Sequence, residues 1–502
     1  MWFNYKKLCS FPLFISNSLK ASIEEGPKKH FFKLEHWQFS KKAKCLIVFA
    51  IIAVMLISVF AFLPKQNTSK ADVIPQNTST PTSSPGSPTA TATQPPKKQS
   101  DTNQWIPVIQ THNPIADPTP KSPGVIESAQ TINSTVWKKV ATNAWNYFQP
   151  GVGVDSNTGL PYAGTGSFPE FTDWDLGVYI QAVIDAQKIG LIDTDGNWGS
   201  YARLDKVLTF LETRELNNVT AYPYWFYQAA DGKDYHAISD TSTALIDTVD
   251  TGRLFVALNN LKTYNPAWTM RINNFVYNVN GNRSDYASLV PGINSGDSSN
   301  SIYGYYCSSG YASFWPKQLG SVPGSILNAI LSSTNVTTNG ISLPSAQISS
   351  EPLLCSLFEL NNNDSRLIAL SKQVYLAHEA YYNATGEYVA FSEGNSPSGF
   401  VWEWVVLGNG DTWKVQDTGT LGTSSYTSIE PVFYSKVAFS FLSLYNTTFA
   451  HDMVVSLEQN LPNPKSGYSD GADNLGDVVS QVGSNTNGLI LDAALYYVQN
   501  NP

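Results

Sequence analysis

Residues Cys45 to Leu63, CLIVFAIIAVMLISVFAFL, are nineteen consecutive residues without a charge. About twenty apolar residues cross the hydrocarbon core of a bilayer as a helix. The run therefore predicts a transmembrane segment that divides the chain into two parts in different surroundings. A cleaved signal peptide would carry a shorter apolar core nearer the N-terminus and a small-residue cleavage site, which Phe62-Leu63-Pro64-Lys65 does not supply. Nine of the 31 basic residues but only three of the 40 acidic ones precede Cys45, with Lys41, Lys42 and Lys44 at the edge of the run. The positive-inside rule then predicts a single-pass protein of the cell membrane. Residues 1–44 form a cytoplasmic basic tail, 45–63 an uncleaved signal-anchor in the lipid bilayer, and the remainder faces outside.

Beyond residue 44 the chain holds 22 basic and 37 acidic residues. A surface with about fifteen net negative charges repels nucleic acid, and no long basic tract offsets it. No CxxC, HExxH or Cys/His cluster is present, so no metal site is predicted. Asp470, Asp473 and Asp477 do not have the spacing of an EF-hand loop. No GxSxG elbow, phosphate loop or dinucleotide-binding turn occurs, and no cofactor is expected. Cys307 and Cys355 lie on the external side, where a disulfide can persist; pairing and free thiols are equally open.

From residue 64 to 124 the chain is dominated by Thr, Ser, Pro and Gln, as in NTSTPTSSPGSPTATATQPP. Such a stretch lacks the apolar content that offsets the entropy of ordering and predicts a disordered stalk. Nine N-x-S/T sequons, at Asn67, Asn77, Asn133, Asn218, Asn282, Asn335, Asn363, Asn383 and Asn446, all follow the apolar run, as expected of an exported glycoprotein.

Residues 125–502 carry ten of the 13 tryptophans and recurrent helical periodicity. Trp174, Val178, Tyr179, Ala182, Val183 and Ala186 recur at intervals of three and four, as do Leu204, Val207, Leu208 and Leu211. Further stripes start at Leu254, Leu367, Val437 and Leu491, and weaker ones fall near 134–148, 267–279, 324–333, 351–360 and 448–459. Ten or eleven helices are thus expected, with strands confined mainly to 222–227 and 401–407. The intervening loops are long for a simple bundle, so a mainly helical toroid with a few short strands fits better.

Several blocks, FTDWDLGVYIQAVIDAQKIGLI (171–192), TVDTGRLFVALNNL (248–261), AFSEG (390–394), WEW (402–404), TSIEPVFYSKVAFSFLSLY (427–445) and GYSDG with SNTNGLILDAALYY (467–497), carry a family signal. Together they resemble a domain of unknown function found in envelope proteins and placed near glucoamylase-like enzymes. The resemblance covers about 150–500. It implies an (α/α)6 toroid, as in glucoamylase-like and β-1,2-glucan-cleaving glycosidases, with a cleft formed by the loops at one end of the inner helices.

Cleavage of a glycosidic bond needs two carboxyl groups, one protonated and one ionised. Glu393, between small and turn-forming residues after the apolar YVAF, reads either as a solvated loop acid or as the catalytic one. Glu403 alternates with Trp402 and Trp404 and would face opposite to both in a strand. It is either an acid whose pKa is raised by aromatic surroundings or the exposed face of an edge strand. Asp173 and Asp175 flank Trp174 at a helix start, where capping and a cleft role can coincide. Glu430 precedes a helix expected near Val432 and has the same two readings, as does Asp250 before Arg253. Asp470 reads as a turn residue or a cleft carboxylate. Trp174, Trp402, Trp404 and Tyr426 read either as large residues that fill the helical interior or as flat faces suited to sugar rings. His378, on an apolar stripe, reads as a core histidine.

The expectation is a membrane-anchored extracellular glycoside hydrolase. Catalytic candidates are Glu393, Asp173, Glu403 and Glu430; substrate contacts are Trp174, Asp175, Trp402, Trp404, Tyr426 and Asp470. Its partner would be a polysaccharide or surface glycan. The alternative is a non-catalytic glycan-binding, adhesion or cell-envelope module.

Overall fold

The computed structural model describes residues 124–501, apart from 129–130, 166–168, 218–219, 236–245, 280, 282–283, 295–299, 361–363 and 462–463. The expected tail, apolar run and stalk lie outside the described residues, as do the sequons at Asn67, Asn77, Asn218, Asn282 and Asn363. Among the described residues, no helix is long and apolar enough to cross a membrane.

Among the described residues, twelve helices of eight residues or more set the architecture. They are α1 (Ser134–Trp145), α2 (Asp173–Ile189), α3 (Ser200–Thr213), α4 (Thr248–Tyr264), α5 (Thr269–Val276) and α6 (Ile302–Phe314), then α7 (Val322–Ser332), α8 (Ser350–Phe358), α9 (Ser365–Thr385), α10 (Ser435–Tyr445), α11 (Thr448–Asn460) and α12 (Ser484–Asn500). The even-numbered helices form a closed ring in which each packs on the next and α12 returns to α2. The odd-numbered helices lie against them: α1 on α12 and α2, α3 on α2, α5 on α4, α7 on α6, α9 on α8 and α11 on α10. The result is a helical toroid of two layers.

Position in the toroid sets how much of each helix is buried. An outer helix such as α9 buries one face, through Leu367, Leu370, Val374, His378 and Tyr381, and keeps the periodicity of a half-solvated helix. An inner helix touches neighbours on all sides: 15 of the 17 residues of α2 are buried. In α6, IYGYYCSSGYASF, 10 of 13 residues are buried, so apolar and small residues alternate without a stripe. This is the helix that periodicity did not anticipate. The remaining eleven correspond to the expected segments.

Close approach between ring members relies on absent side chains. A Cβ on Gly310 of α6 would lie 2.0 Å from the carbonyl oxygen of Gly252 in α4, and one on Gly488 of α12 would lie 2.4 Å from Val178 of α2.

Short strands decorate the connections. Strands β1 (Glu170–Phe171) and β2 (Tyr227–Gln228) form one antiparallel pair, and β3 (Asn335–Thr338) and β4 (Ile341–Pro344) a hairpin. The β3–β4 turn is Asn339-Gly340, both at positive φ, as a tight hairpin turn requires. Between α9 and α10 lie β5 (Glu393–Ser396), β6 (Gly399–Val406) and β7 (Thr412–Asp417), antiparallel with β6 in the middle. Finally β8 (Val432–Tyr434) pairs with β9 (Gly471–Asp473).

Three local expectations are corrected. Only the last residue of 222–227 enters a strand, paired with Phe171. Glu403 lies on a central strand and is buried, so it is not the exposed face of an edge. The helix after Glu430 begins at Ser435, because Val432–Tyr434 is drawn into pairing with β9.

His378 is a buried core histidine. Its Nδ1 lies 2.8 Å from the Val374 carbonyl, and its Nε2 accepts from the Phe391 N–H at 3.2 Å. Cys307 and Cys355 are buried free thiols.

Candidate functional site

The first turns of the six inner helices meet at one mouth of the toroid. Thr172 caps α2, accepting from the Trp174 N–H at 3.1 Å, while its own N–H donates to Asp175 Oδ2 at 3.0 Å. This reciprocal box satisfies two otherwise orphaned donors. The second oxygen of Asp175 accepts from Ser484 at the start of α12, at 2.6 Å. A capping residue thereby ties the first inner helix to the last.

Arg253 of α4 occupies the centre. It donates to Asn485 Oδ1 at 3.1 Å and to Glu359 Oε1 at 2.6 Å, and pairs with Glu351 at 3.5 Å. Its guanidinium lies 4.5 Å from the ring of Trp174, whose indole N–H donates to the same Asn485 oxygen at 3.2 Å. Glu351, on the first turn of α8, accepts from Asn485 Nδ2 at 2.6 Å and Ser392 Oγ at 3.1 Å and is ion-paired with Lys436 of α10. Arg253, Glu351 and Lys436 are essentially closed to solvent. A buried charge survives only when paired and hydrogen-bonded, and each here has several partners.

Glu393 opens this closed network to solvent. It begins β5, is half-buried, and has its main-chain carbonyl held by Lys436 at 2.7 Å. Burial and the neighbouring Glu351 carboxylate push its carboxyl up to about 8, against the opposing pull of Lys436, Tyr303 and Arg253. At neutral pH it therefore carries a proton while facing an accessible mouth. This is the arrangement general-acid chemistry needs.

A second half-buried acid, Asp250, sits on the first turn of α4, and Trp225 Nε1 donates to it at 3.1 Å. Burial and the adjacent Asp247 carboxyl push it well up. Asp247, Asp250 and Glu393 all act, after burial, to raise the thiol of Cys307 on α6.

A family model described as a protein of unknown function, DUF3131, matches residues 139–501. The chain belongs to the DUF3131 family. No curated protein matches its sequence. Among solved structures it is similar to a glucoamylase candidate from Bacteroides fragilis, at TM-score 0.51 and 13% identity over 75% of this chain and 97% of that one. It is also similar to the endo-β-1,2-glucanase of Chitinophaga pinensis in complex with sophorotriose and glucose, at 0.50 and 14% over 73% and 94%. The endo-β-1,2-glucanase of Talaromyces funiculosus with sophorose matches at 0.50 and 11% over 73% and 85%. The DUF3131 domain thus has a mainly helical, glucoamylase-like fold.

Within this DUF3131 domain, Glu393, Asp175, Trp174, Trp402, Trp404 and Asp470 gather around the mouth. Asp470 accepts from Thr486 at 2.6 Å and Asn395 Nδ2 at 3.0 Å, linking α12 to β5. Trp402 stands directly opposite Glu393 across the β5–β6 ladder. Trp404 is buried edge-on against Tyr303, with its indole N–H donating to Gln416 at 3.0 Å.

Other candidates have different surroundings. Asp173 is buried in an ion pair with Arg214 at 2.6 Å. Glu403 points away from the tryptophans into the interior, where it accepts from the Val432 N–H at 2.6 Å and the Ser392 N–H at 3.3 Å. Burial pushes its carboxyl well up. Glu430 lies near Asp473 and Glu387, whose charges add to burial in raising it. Tyr426 is fastened to Asn409 and Asp411 at the β6–β7 turn. Among the described residues, no group of three His, Cys, Asp or Glu side chains could hold a metal ion.

The central residues Glu351 and Lys436 escaped the sequence analysis. Their signal was a lone charge inside an apolar helix, SSEPLLCSLF and YSKVAFSFL, a pattern that marks a buried charge in need of partners.

Proposed function

We propose that this protein is a glycan-cleaving enzyme in which Glu393 donates the proton to the departing glycosidic oxygen. The observation that carries this reading is the half-buried Glu393 carboxyl, pushed up to about 8 beside the ion-paired Arg253, Glu351 and Lys436. Glu351 is wrapped by Lys436, Arg253, Asn485 and Ser392 and supplies the negative charge that keeps the proton on its neighbour. We assign the base to the Asp247–Asp250 pair at the start of α4, whose like charges resist double ionisation.

Asp173 and Glu403 are assigned positioning roles, through Arg214 and through the main chain around Ser392 and Val432. Trp174, Trp402 and Trp404 form the aromatic side of the site. The substrate class is a polysaccharide at or near the cell surface, and the two glucanases of similar fold make β-1,2-glucan the first polymer to assay. The Cys45–Leu63 run anchors the chain, residues 64–124 act as the stalk and 125–502 form the external catalytic domain.

The deciding experiment is release of reducing ends from β-1,2-glucan and a panel of surface polysaccharides by the full chain and its Glu393→Gln variant. Loss of a general acid should lower the rate by roughly 10²–10⁴-fold. An unchanged rate removes Glu393 from the mechanism.

A further inference from the structure

The β5–β6 hairpin projects an aromatic face that no interaction within the described residues uses up. In an antiparallel ladder, directly opposite residues share a face. The register pairs Glu393 with Trp402 and Asn395 with Phe400, so Phe400 and Trp402 stand on the Glu393 side of the sheet. Their rings are 5.0 Å apart at 63°. Phe400 is 41% exposed, one of the few large apolar side chains in the domain left so open.

Indole bonding separates Trp402 from the other tryptophans at this mouth. Trp174 donates to Asn485, Trp225 to Asp250 and Trp404 to Gln416. The indole N–H of Trp402, half-buried, has no hydrogen-bond partner among the described residues. Tryptophan combines a flat apolar face with one donor, which suits a ligand with apolar C–H faces and hydroxyl acceptors.

The platform is held rigidly. On the reverse face of β6, Val401 and Val405 are fully buried, and Glu403 is anchored by two main-chain N–H groups. At the tip, Ser396 Oγ donates to the Gly399 carbonyl at 2.7 Å and accepts from the Ser398 N–H at 3.1 Å. Two residues of strand place Phe400 about 7 Å farther out than Trp402.

We infer that Trp402, at the rim of the mouth, and Phe400, farther out along the hairpin, form a continuous sugar-stacking surface, with Phe400 holding a pyranose unit of the same polysaccharide chain farther from the bond at Glu393. The inference rests on the reading of Glu393 as the reacting position. A free glycan end or a buried disaccharide would not need Phe400; a chain running out along the hairpin would.

The test uses the full chain carrying Glu393→Gln, with calorimetric titration of the disaccharide and hexasaccharide of β-1,2-linked glucose. Adding Phe400→Ala should weaken the hexasaccharide about tenfold, the scale of one good aromatic contact, and leave the disaccharide unchanged. Trp402→Ala should weaken both, and Trp402→Phe should recover most of the loss. The exposed position of Phe400 predicts an unchanged melting temperature for its variant. An equal loss for both sugars, no loss for the hexasaccharide, or no hexasaccharide binding by any form overturns the subsite. A Phe400-dependent self-association of the chain in place of sugar binding also overturns it. Full glucanase activity in Glu393→Gln with Phe400-dependent hexasaccharide binding would remove the catalytic reading and keep the subsite. The converse removes the subsite alone.

Discussion

Lys436 donates from its buried ammonium to the main-chain carbonyl of Glu393 at 2.7 Å, while the same ammonium is ion-paired with the Glu351 carboxylate. One cation thus fixes the backbone of the proposed proton donor and holds the acid beside it in place. The geometry couples folding to chemistry at a single side chain.

Replacing Lys436 with Met leaves Glu351 with Arg253 as its remaining cationic partner, 3.5 Å away. Breaking one half of a buried ion pair costs roughly 3–5 kcal/mol. Urea unfolding of Lys436→Met should show a loss of that order, with Lys436→Arg intermediate. A loss of only a few tenths of a kcal/mol would show that Glu351 does not depend on this cation.

Glu393 should make the domain less stable as pH rises. The folded carboxyl keeps its proton up to about 8, against an ordinary value of 4.5. Between those values the folded state binds more protons than the unfolded one, so stability falls with increasing pH and levels off above about 8. Glu393→Gln should therefore melt higher than the parent at pH 8–9, with the difference vanishing below about 4.5. Glycan cleavage by the parent should decline over the alkaline side of the same window, as the acid loses its proton. Thermal melts and rates across pH measure both, and an alkaline gain that is absent in the Gln variant argues against a buried neutral acid.

Eleven of the twelve helices were legible in the sequence as apolar stripes, and outer helices such as α9 and α3 keep one because they must show water a polar face. The inner helix α6 was not, since its run of tyrosines, glycines and serines is buried on nearly every side and marks no single apolar face. The same division holds for the site. Glu393 stood out as a loop acid after an apolar segment, and Thr172-Asp173-Trp174-Asp175 as a helix start. Glu351, Arg253 and Lys436 become a unit only through contacts between residues 85 and 98 positions apart in the chain, which no local pattern encodes. Glu403 illustrates the limit: alternation correctly set it opposite Trp402 and Trp404, but which face is the interior depends on β8, whose Val432 N–H binds it.

His378 gives a separate, acidic signature. Burial lowers its imidazole from 6.5 to about 4, so the folded state keeps it neutral while the unfolded chain takes up a proton near 6.5. Its contribution is present above 6.5 and is lost as pH falls from there towards 4. His378→Leu should remove that portion of the acid sensitivity. At pH 7 the same variant should cost about 1–3 kcal/mol, because the Phe391 N–H loses its acceptor inside the core. Melting temperatures at pH 7 and pH 5 separate the two effects, and parallel pH curves for parent and variant would contradict the assignment.

The contact between α4 and α6 provides the sharpest packing test. A Cβ at Gly310 would sit 2.0 Å from the Gly252 carbonyl oxygen and 3.1 Å from the Val256 nitrogen, and a Cβ at Gly252 would meet Cys307 at 2.6 Å. Those neighbours are backbone or the base of a side chain, so a rotamer change cannot relieve the overlap and the helices must separate. Gly310→Ala should cost at least the roughly 1–3 kcal/mol typical of overpacking, despite the better helix propensity of alanine. Because α4 carries Arg253 and Asp250, the shift should also reach the mouth of the ring. Lower denaturation midpoints together with reduced glycan cleavage are expected for Gly310→Ala. Gly324, at an α7 position where an added Cβ meets nothing within 4 Å, is the matched control: Gly324→Ala should leave both measurements near the parent values. Equal behaviour of the two variants would mean that the α4–α6 spacing is not held by Gly310.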